Sequence, residues 1–179
     1  MKITYLCAIL ALGAVNADAQ DFCKQIKKEV SDNKLLFDYS SPFTQEHTPA
    51  VRVKRSISID PESPFDNYMV IFQTHCGLDD IYNKTADGGQ TEKTERKLVI
   101  TFDDNTKIVD DTTDISHDFS EDKTEAMRNL YLPLTEGSIV NELSSKKIVK
   151  FSLAGQERLF PADSANAVMQ YMKCIKAAK

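Results

Sequence analysis

Apolar and polar positions alternate through most of this chain in short runs, and one long helical pattern closes it. From Val51 to Ile59, the residues Val51, Val53, Ile57 and Ile59 face one way. Arg52, Lys54, Ser56 and Ser58 face the other, with Arg55 as the one exception. That alternation predicts a strand buried on one face. Tyr68-Met69-Val70-Ile71-Phe72 is apolar at every position and runs on to Cys76, which predicts a central strand covered on both faces. Lys97–Phe102 and Lys107–Val109 flank Asp103-Asp104-Asn105-Thr106, turn chemistry that predicts a hairpin. Ile115, His117 and Phe119 share one face of a further strand. Leu130, Leu132 and Leu134 alternate in another that carries Pro133, a residue that points to an edge or a bulge. Leu35–Tyr39 reads as a short strand.

Helical spacing marks the two ends. Phe22, Ile26, Glu29 and Val30 predict a short helix over Asp21–Ser31, broken by Asp32-Asn33. Thr135 is placed to cap a short helix through Leu143. Lys147–Leu153 and Glu157–Phe160 form a hairpin around Ala154-Gly155-Gln156. Pro161 then opens a helix in which Ala165, Val168, Met169, Met172 and Ile175 make one apolar stripe. Ala167, Tyr171, Cys174 and Ala178 make a second face, suited to packing against the Asp21–Ser31 helix. Ser40–Pro49 and Lys84–Glu95 read as loops, the second mobile, and Ser120–Met127 as a polar insertion with one helical turn. The whole is α+β: a mainly antiparallel sheet of about six to eight strands with N- and C-terminal helices packed on one face.

The first residues change the picture by acting as an address. A short basic start at Lys2 precedes an apolar run from Thr4 to Val15, and Ala17-Asp18-Ala19 is an A-x-A cleavage signal. The expectation is a signal peptide over residues 1–19 and a single domain over 20–179, secreted or periplasmic. No other segment reaches transmembrane length, so no anchor is expected in the mature chain. The formal net charge is −5. A mildly acidic chain without a long basic run is a poor partner for nucleic acid or anionic membranes.

Cys23, Cys76 and Cys174 remain after cleavage. Export makes a disulfide plausible, and an odd count leaves one thiol over. Cys23–Cys174 is the favoured pair, since both fall on terminal helices that can pack together. Closing so long a loop stabilises by roughly 4–5 kcal/mol in the chain-entropy model. Three free buried thiols are the alternative.

Candidate chemistry is sparse. His75 and Cys76 are adjacent on a strand and point to opposite faces, so they form no dyad. His47 and His117 are the candidates to reach Cys76, and His117, on another strand, is the better one. Asp110, Asp114 and Asp118, in a stretch rich in aspartates, are candidate ligands for a hard cation such as Ca²⁺, although their spacing is not that of an EF-hand. The cysteines and histidines lack zinc spacing. Gly88-Gly89 lacks the context of a phosphate loop, and no cofactor is implied. Asn83-Lys84-Thr85 matches the glycosylation sequon.

In layout the chain resembles the small exported proteins of unknown function from Bacteroidetes. The resemblance rests on Ala19-Gln20 at the cleavage site, the Asp-rich turn Phe102-Asp103-Asp104-Asn105-Thr106, the strand Ile148-Val149-Lys150-Phe151 and the closing Cys174-Ile175. It implies a periplasmic or secreted α+β domain and carries over no catalytic residue. It also implies that Asp111-Thr112-Thr113 and Asp163-Ser164-Ala165 are similar to that group's O-glycosylation tripeptides.

A set of core elements without an assembled catalytic motif points to an exported, non-enzymatic domain that binds a protein or an envelope component. The alternatives are a hydrolase or thiol enzyme using Cys76 with His117, and a carrier holding a small apolar ligand within the sheet.

Overall fold

The computed structural model describes residues 22–40, 50–92, 97–122, 124–135 and 137–178. The signal peptide expected over 1–19 and most of the Ser40–Pro49 loop lie outside them. Among the described residues, twelve strands form three antiparallel sheets. Sheet I has six strands in the order β1-β2-β3-β4-β10-β9. They are β1 (Lys27–Ser31), β2 (Lys34–Ser40), β3 (Ala50–Ser58), β4 (Asp66–Gly77), β9 (Ile115–Phe119) and β10 (Glu125–Thr135). Sheet II has four in the order β12-β11-β7-β8. These are β7 (Leu98–Phe102), β8 (Lys107–Asp110), β11 (Ile148–Leu153) and β12 (Gln156–Leu159). β5 (Tyr82–Lys84) and β6 (Gln90–Glu92) make a small separate ladder. The helices are α1 (Leu78–Ile81), α2 (Ser138–Ser145) and α3 (Ala162–Ala177).

The α+β class and the antiparallel pairing agree with the sequence pattern, whereas a single sheet of six to eight strands does not. Alternation reports that a strand has a buried face and says nothing about which sheet owns it. The larger correction is at the N-terminus, where only residues 22–24 are helical and Lys27–Ser31 is an edge strand. Asp32 and Asn33 both have positive φ, 47° and 59°, and Ser31 pairs with Lys34 across them. That is a two-residue hairpin turn of the kind Asn and Asp tolerate; the same two residues had read as a helix breaker. Further on, the described residues of 120–124 are not helical, and β10 runs from Glu125 to Thr135 opposite Asn67. Thr135 is therefore a strand residue, and Gly137 occupies the N-cap of α2. The Lys84–Glu95 stretch contains β6, and residues 93–96 lie outside the described part.

The core lies between sheet I and a second layer made by sheet II with α2 and α3. Register puts Val51, Phe72 and Leu130 in one row and Val53, Val70 and Leu132 in the next. All six are buried. Phe151 of sheet II meets Phe72 with ring centroids 5.2 Å apart. The α3 stripe at Ala165, Val168, Met169, Met172 and Ile175 is buried as its spacing requires. Its second face is covered too: Tyr171 stacks on Tyr39 of β2 and takes Phe22 edge-on. There Cys23 and Cys174 stand at disulfide distance, Cα atoms 5.3 Å apart, as expected of the pair, although a helical turn and a strand replace the helix foreseen as neighbour. Between the sheets, apolar side chains from both layers form one buried cluster.

Arg55 explains its own exception to the β3 pattern. It lies on the buried face and donates from Nε and Nη2 to both Asp66 carboxylate oxygens, at 2.8 and 2.6 Å. Its Nη1 donates to the carbonyls of Ile175 and Ala178, at 2.6 and 2.8 Å. The guanidinium thus satisfies carbonyls that a helix end leaves open and faces the negative end of the α3 dipole. Arg55→Met is expected to lower unfolding stability by about 2–4 kcal/mol, because the carboxylate and the α3 carbonyls lose their donor together. Urea denaturation measures it, and a loss below about 0.5 kcal/mol would contradict the capping role.

Candidate functional site

The polar groups that chemistry would need gather at one end of the buried face of sheet I. Three successive rows run across β4, β10 and β9. Phe72, Leu130 and Ile115 form an apolar row, Thr74, Arg128 and His117 a polar one, and Cys76, Ala126 and Phe119 a third. Arg128 stands at the same strand parity as Leu130, Leu132 and Leu134, so it must point inward. It is 2% exposed. Sheet II meets this row with the β11–β12 hairpin. Ala154 and Gly155 turn there with φ of 51° and 76°, which directs Gln156 and Arg158 to the inner side, opposite Leu153 and Phe151. α1 adds Asp80.

Arg128 bonds to four groups on four different elements. Its Nε donates to His117 Nε2 at 3.3 Å and its Nη2 to the Asp80 carbonyl at 2.9 Å. Its Nη1 donates to the Leu153 carbonyl at 3.1 Å and to Gln156 Oε1 at 3.3 Å. All four acceptors are neutral. Arg158 shares Gln156 Oε1, at 3.4 Å, and donates from Nε to Thr74 Oγ1 at 3.3 Å. Negative charge is supplied at longer range. Burial tends to raise the Asp80 carboxyl, but hydrogen bonds from Gln156 and the Gly77 N–H, with the two arginines, hold it below the usual carboxylate range.

Cys76 and His117 share this face but do not meet. They are two strands and two residues apart, and the diagonal between them passes the Arg128 and Ala126 positions. The Cys76 thiol donates to the Ala126 carbonyl at 3.4 Å. Burial pushes its pKa up, and the neighbouring arginines do not reverse that, so the nucleophilic thiolate is disfavoured. His117 accepts from Arg128 at Nε2, which assigns the neutral form with the proton on Nδ1. Burial and then Arg128 lower its pKa, against the pull of Glu92 and Asp118. A base held this way has its lone pair occupied.

The candidate cation ligands are also apart. Asp110 ends β8 in sheet II and Asp118 lies on β9 in sheet I. Asp110 Oδ1 accepts from Thr112 N and Oγ1 at 3.2 and 2.7 Å, and its Oδ2 from Thr113 N at 3.3 Å. Asp118 Oδ2 accepts from Asn129 Nδ2 at 2.8 Å. Asp114 lies in the segment between those strands. Among the described residues no three His, Cys, Asp or Glu side chains converge to hold a metal ion. A shallow depression of about 370 Å³ lies elsewhere, between Ser56, Asn67, Tyr68, Met69, Pro133, Leu134 and Thr135. It holds no carboxylate, histidine or thiol.

Arg128, Gln156 and Arg158 escaped the sequence reading. The signal for Arg128 was its parity with Leu130, obscured because residues 120–127 read as an insertion. Nothing local marks Gln156 or Arg158, whose inward direction is fixed by the turn at Ala154-Gly155.

No helix among the described residues is long and apolar enough to cross a membrane. Comparison with family models, curated proteins and solved structures gives no match.

Two measurements check this geometry. Iodoacetamide is expected to leave Cys76 unmodified in the native protein and to label it after denaturation; rapid native labelling would restore the thiol as a candidate nucleophile. Nitrogen NMR of His117 at neutral pH is expected to show the neutral tautomer protonated at Nδ1, and an Nε2–H signal would contradict the Arg128 bond.

Proposed function

We propose that the protein is an exported, non-enzymatic domain that binds an acidic partner protein, secreted or part of the envelope, through the outward face of sheet II. The observation that carries this reading is the composition of that face. Val109, Val149 and Leu159 are 55%, 37% and 77% exposed. Val99 is half-buried opposite Val109. Lys107 and Lys150 lie in one row with Thr101 and Leu159. Lys97 and Lys147, both exposed, precede β7 and β11. Glu157 is the acid of this face, and it already pairs with Lys150 at 2.7 Å. Apolar side chains among lysines, on a chain of net charge −5, favour a partner that offers apolar groups ringed by carboxylates.

The polar seam supports the non-enzymatic part of the reading. Its thiol and its imidazole are held by structural hydrogen bonds, with Arg128 between them. Export is supported by the A-x-A signal and by the Cys23–Cys174 pair, which suits an oxidising compartment.

A photo-crosslinking residue placed at Val109 in the producing cell is expected to give a discrete protein adduct. The same residue at Ser116, on the outer side of sheet I, is expected to give none. Lys107→Glu with Lys150→Glu should abolish the Val109 adduct while circular dichroism shows the fold retained, with a modest fall in melting temperature from the lost Lys150–Glu157 pair. Equal adducts at both positions, or an adduct indifferent to the charge reversal, would refute the assignment of this face.

A further inference from the structure

Among the described residues, strand β9 forms one edge of sheet I and pairs only with residues 126–130 of β10. Its one tie to the buried arginine is His117, which serves Arg128 as a hydrogen-bond acceptor. An imidazole does this only while neutral; once protonated it has two N–H donors and no acceptor. We infer that β9 is an acid-released edge: protonation of His117 turns its bond to Arg128 into a contact between two cations and frees the strand from β10.

The groups around His117 decide the direction. Arg128 faces it from β10 at 3.3 Å and cannot lose its charge. On the far side of Arg128 stand Arg158 of β12, which adds positive charge, and Asp80 of α1, which offsets part of it. Glu92 of β6 lies 3.8 Å from His117 Nδ1 and Asp118 belongs to β9 itself; both favour the imidazolium. The Glu92 side chain is 62% exposed, whereas that of His117 is 12% exposed. Screening therefore weakens the carboxylate more than the buried guanidinium. Phe119 stacks on Tyr82 of β5 without contributing charge.

The linkage has a definite sign. The folded-state pKa of His117 lies below the ordinary value of 6.5. Its contribution to stability is complete above that ordinary value. It diminishes as pH falls from about 6.5 toward the folded-state pKa, because the unfolded chain takes the proton first. A strand that opens locally answers the same equilibrium, since release returns the imidazole to water. Opening would bare Ile115 and the residue 126–130 edge of β10, an apolar residue and unpaired backbone groups suited to pairing with another strand.

Hydrogen exchange on the full chain, compared at about pH 7.5 and about pH 5 after correction for intrinsic rates, tests this. Amides of β9 are expected to lose protection several-fold at the lower pH, while those of β3 and β4 away from β10 keep theirs. His117→Gln, which retains an acceptor but cannot titrate, is expected to lose the local pH dependence. Glu92→Gln removes a group that favours the imidazolium in the fold, so it is expected to leave the onset of the loss in place and to deepen the loss of β9 protection at the acid end, and it provides a second arm should the His117 variant not fold. β9 protection that ignores pH, a His117→Gln protein that keeps the dependence, or a loss in Glu92→Gln no deeper at the acid end than in the parent would overturn the inference.

Discussion

A guanidinium with almost no access to water holds one end of this fold together. Arg128 arises from β10 and bonds to β9, to α1 and to the hairpin of sheet II. Apolar packing joins the two sheets at Phe72 and Phe151, but packing alone is tolerant of sliding. Four directed bonds from one rigid planar group fix where the second layer sits. The cost is a buried charge whose direct acceptors are all neutral. Burial of that kind is tolerable only when the donors are satisfied and opposite charge stands near. Asp80 and the half-exposed side of the seam provide it.

Arg55 solves a related problem at the other end of the same face. It pairs with Asp66 and caps α3, so the helix is positioned over β3 by its terminal carbonyls as well as by its apolar stripe. Cys23–Cys174 adds a third constraint at the same end. The two arginines differ in one consequential respect. Arg55 has a carboxylate partner in Asp66, whereas Arg128 bonds an imidazole.

Much of the sheet architecture was legible because period-two alternation is a strong signal. Val51–Ile57, Tyr68–Cys76 and Leu130–Leu134 declared their faces, and the α3 stripe declared its own. Misreadings came where a short polar pair carried two meanings. Asp32-Asn33 broke an expected helix on paper and turned a hairpin in the structure, because both residues tolerate positive φ. The site was harder. Cys76 and His117 were rightly placed on strands, but strand order decides whether such residues meet. The interposed β10 carries Arg128 between them. Gln156 and Arg158 became inward residues only through the register of a four-residue edge strand.

The dependence of the seam on Arg128 is open to one direct test. In Arg128→Met, an unbranched side chain that replaces the aliphatic stem and has no donors, hydrogen exchange can be followed at β9, α1 and the β11–β12 hairpin together. Protection is expected to fall at all three, with a loss of global stability of about 3 kcal/mol as buried acceptors are left unpaired. Unchanged stability, or loosening confined to β9, would contradict it.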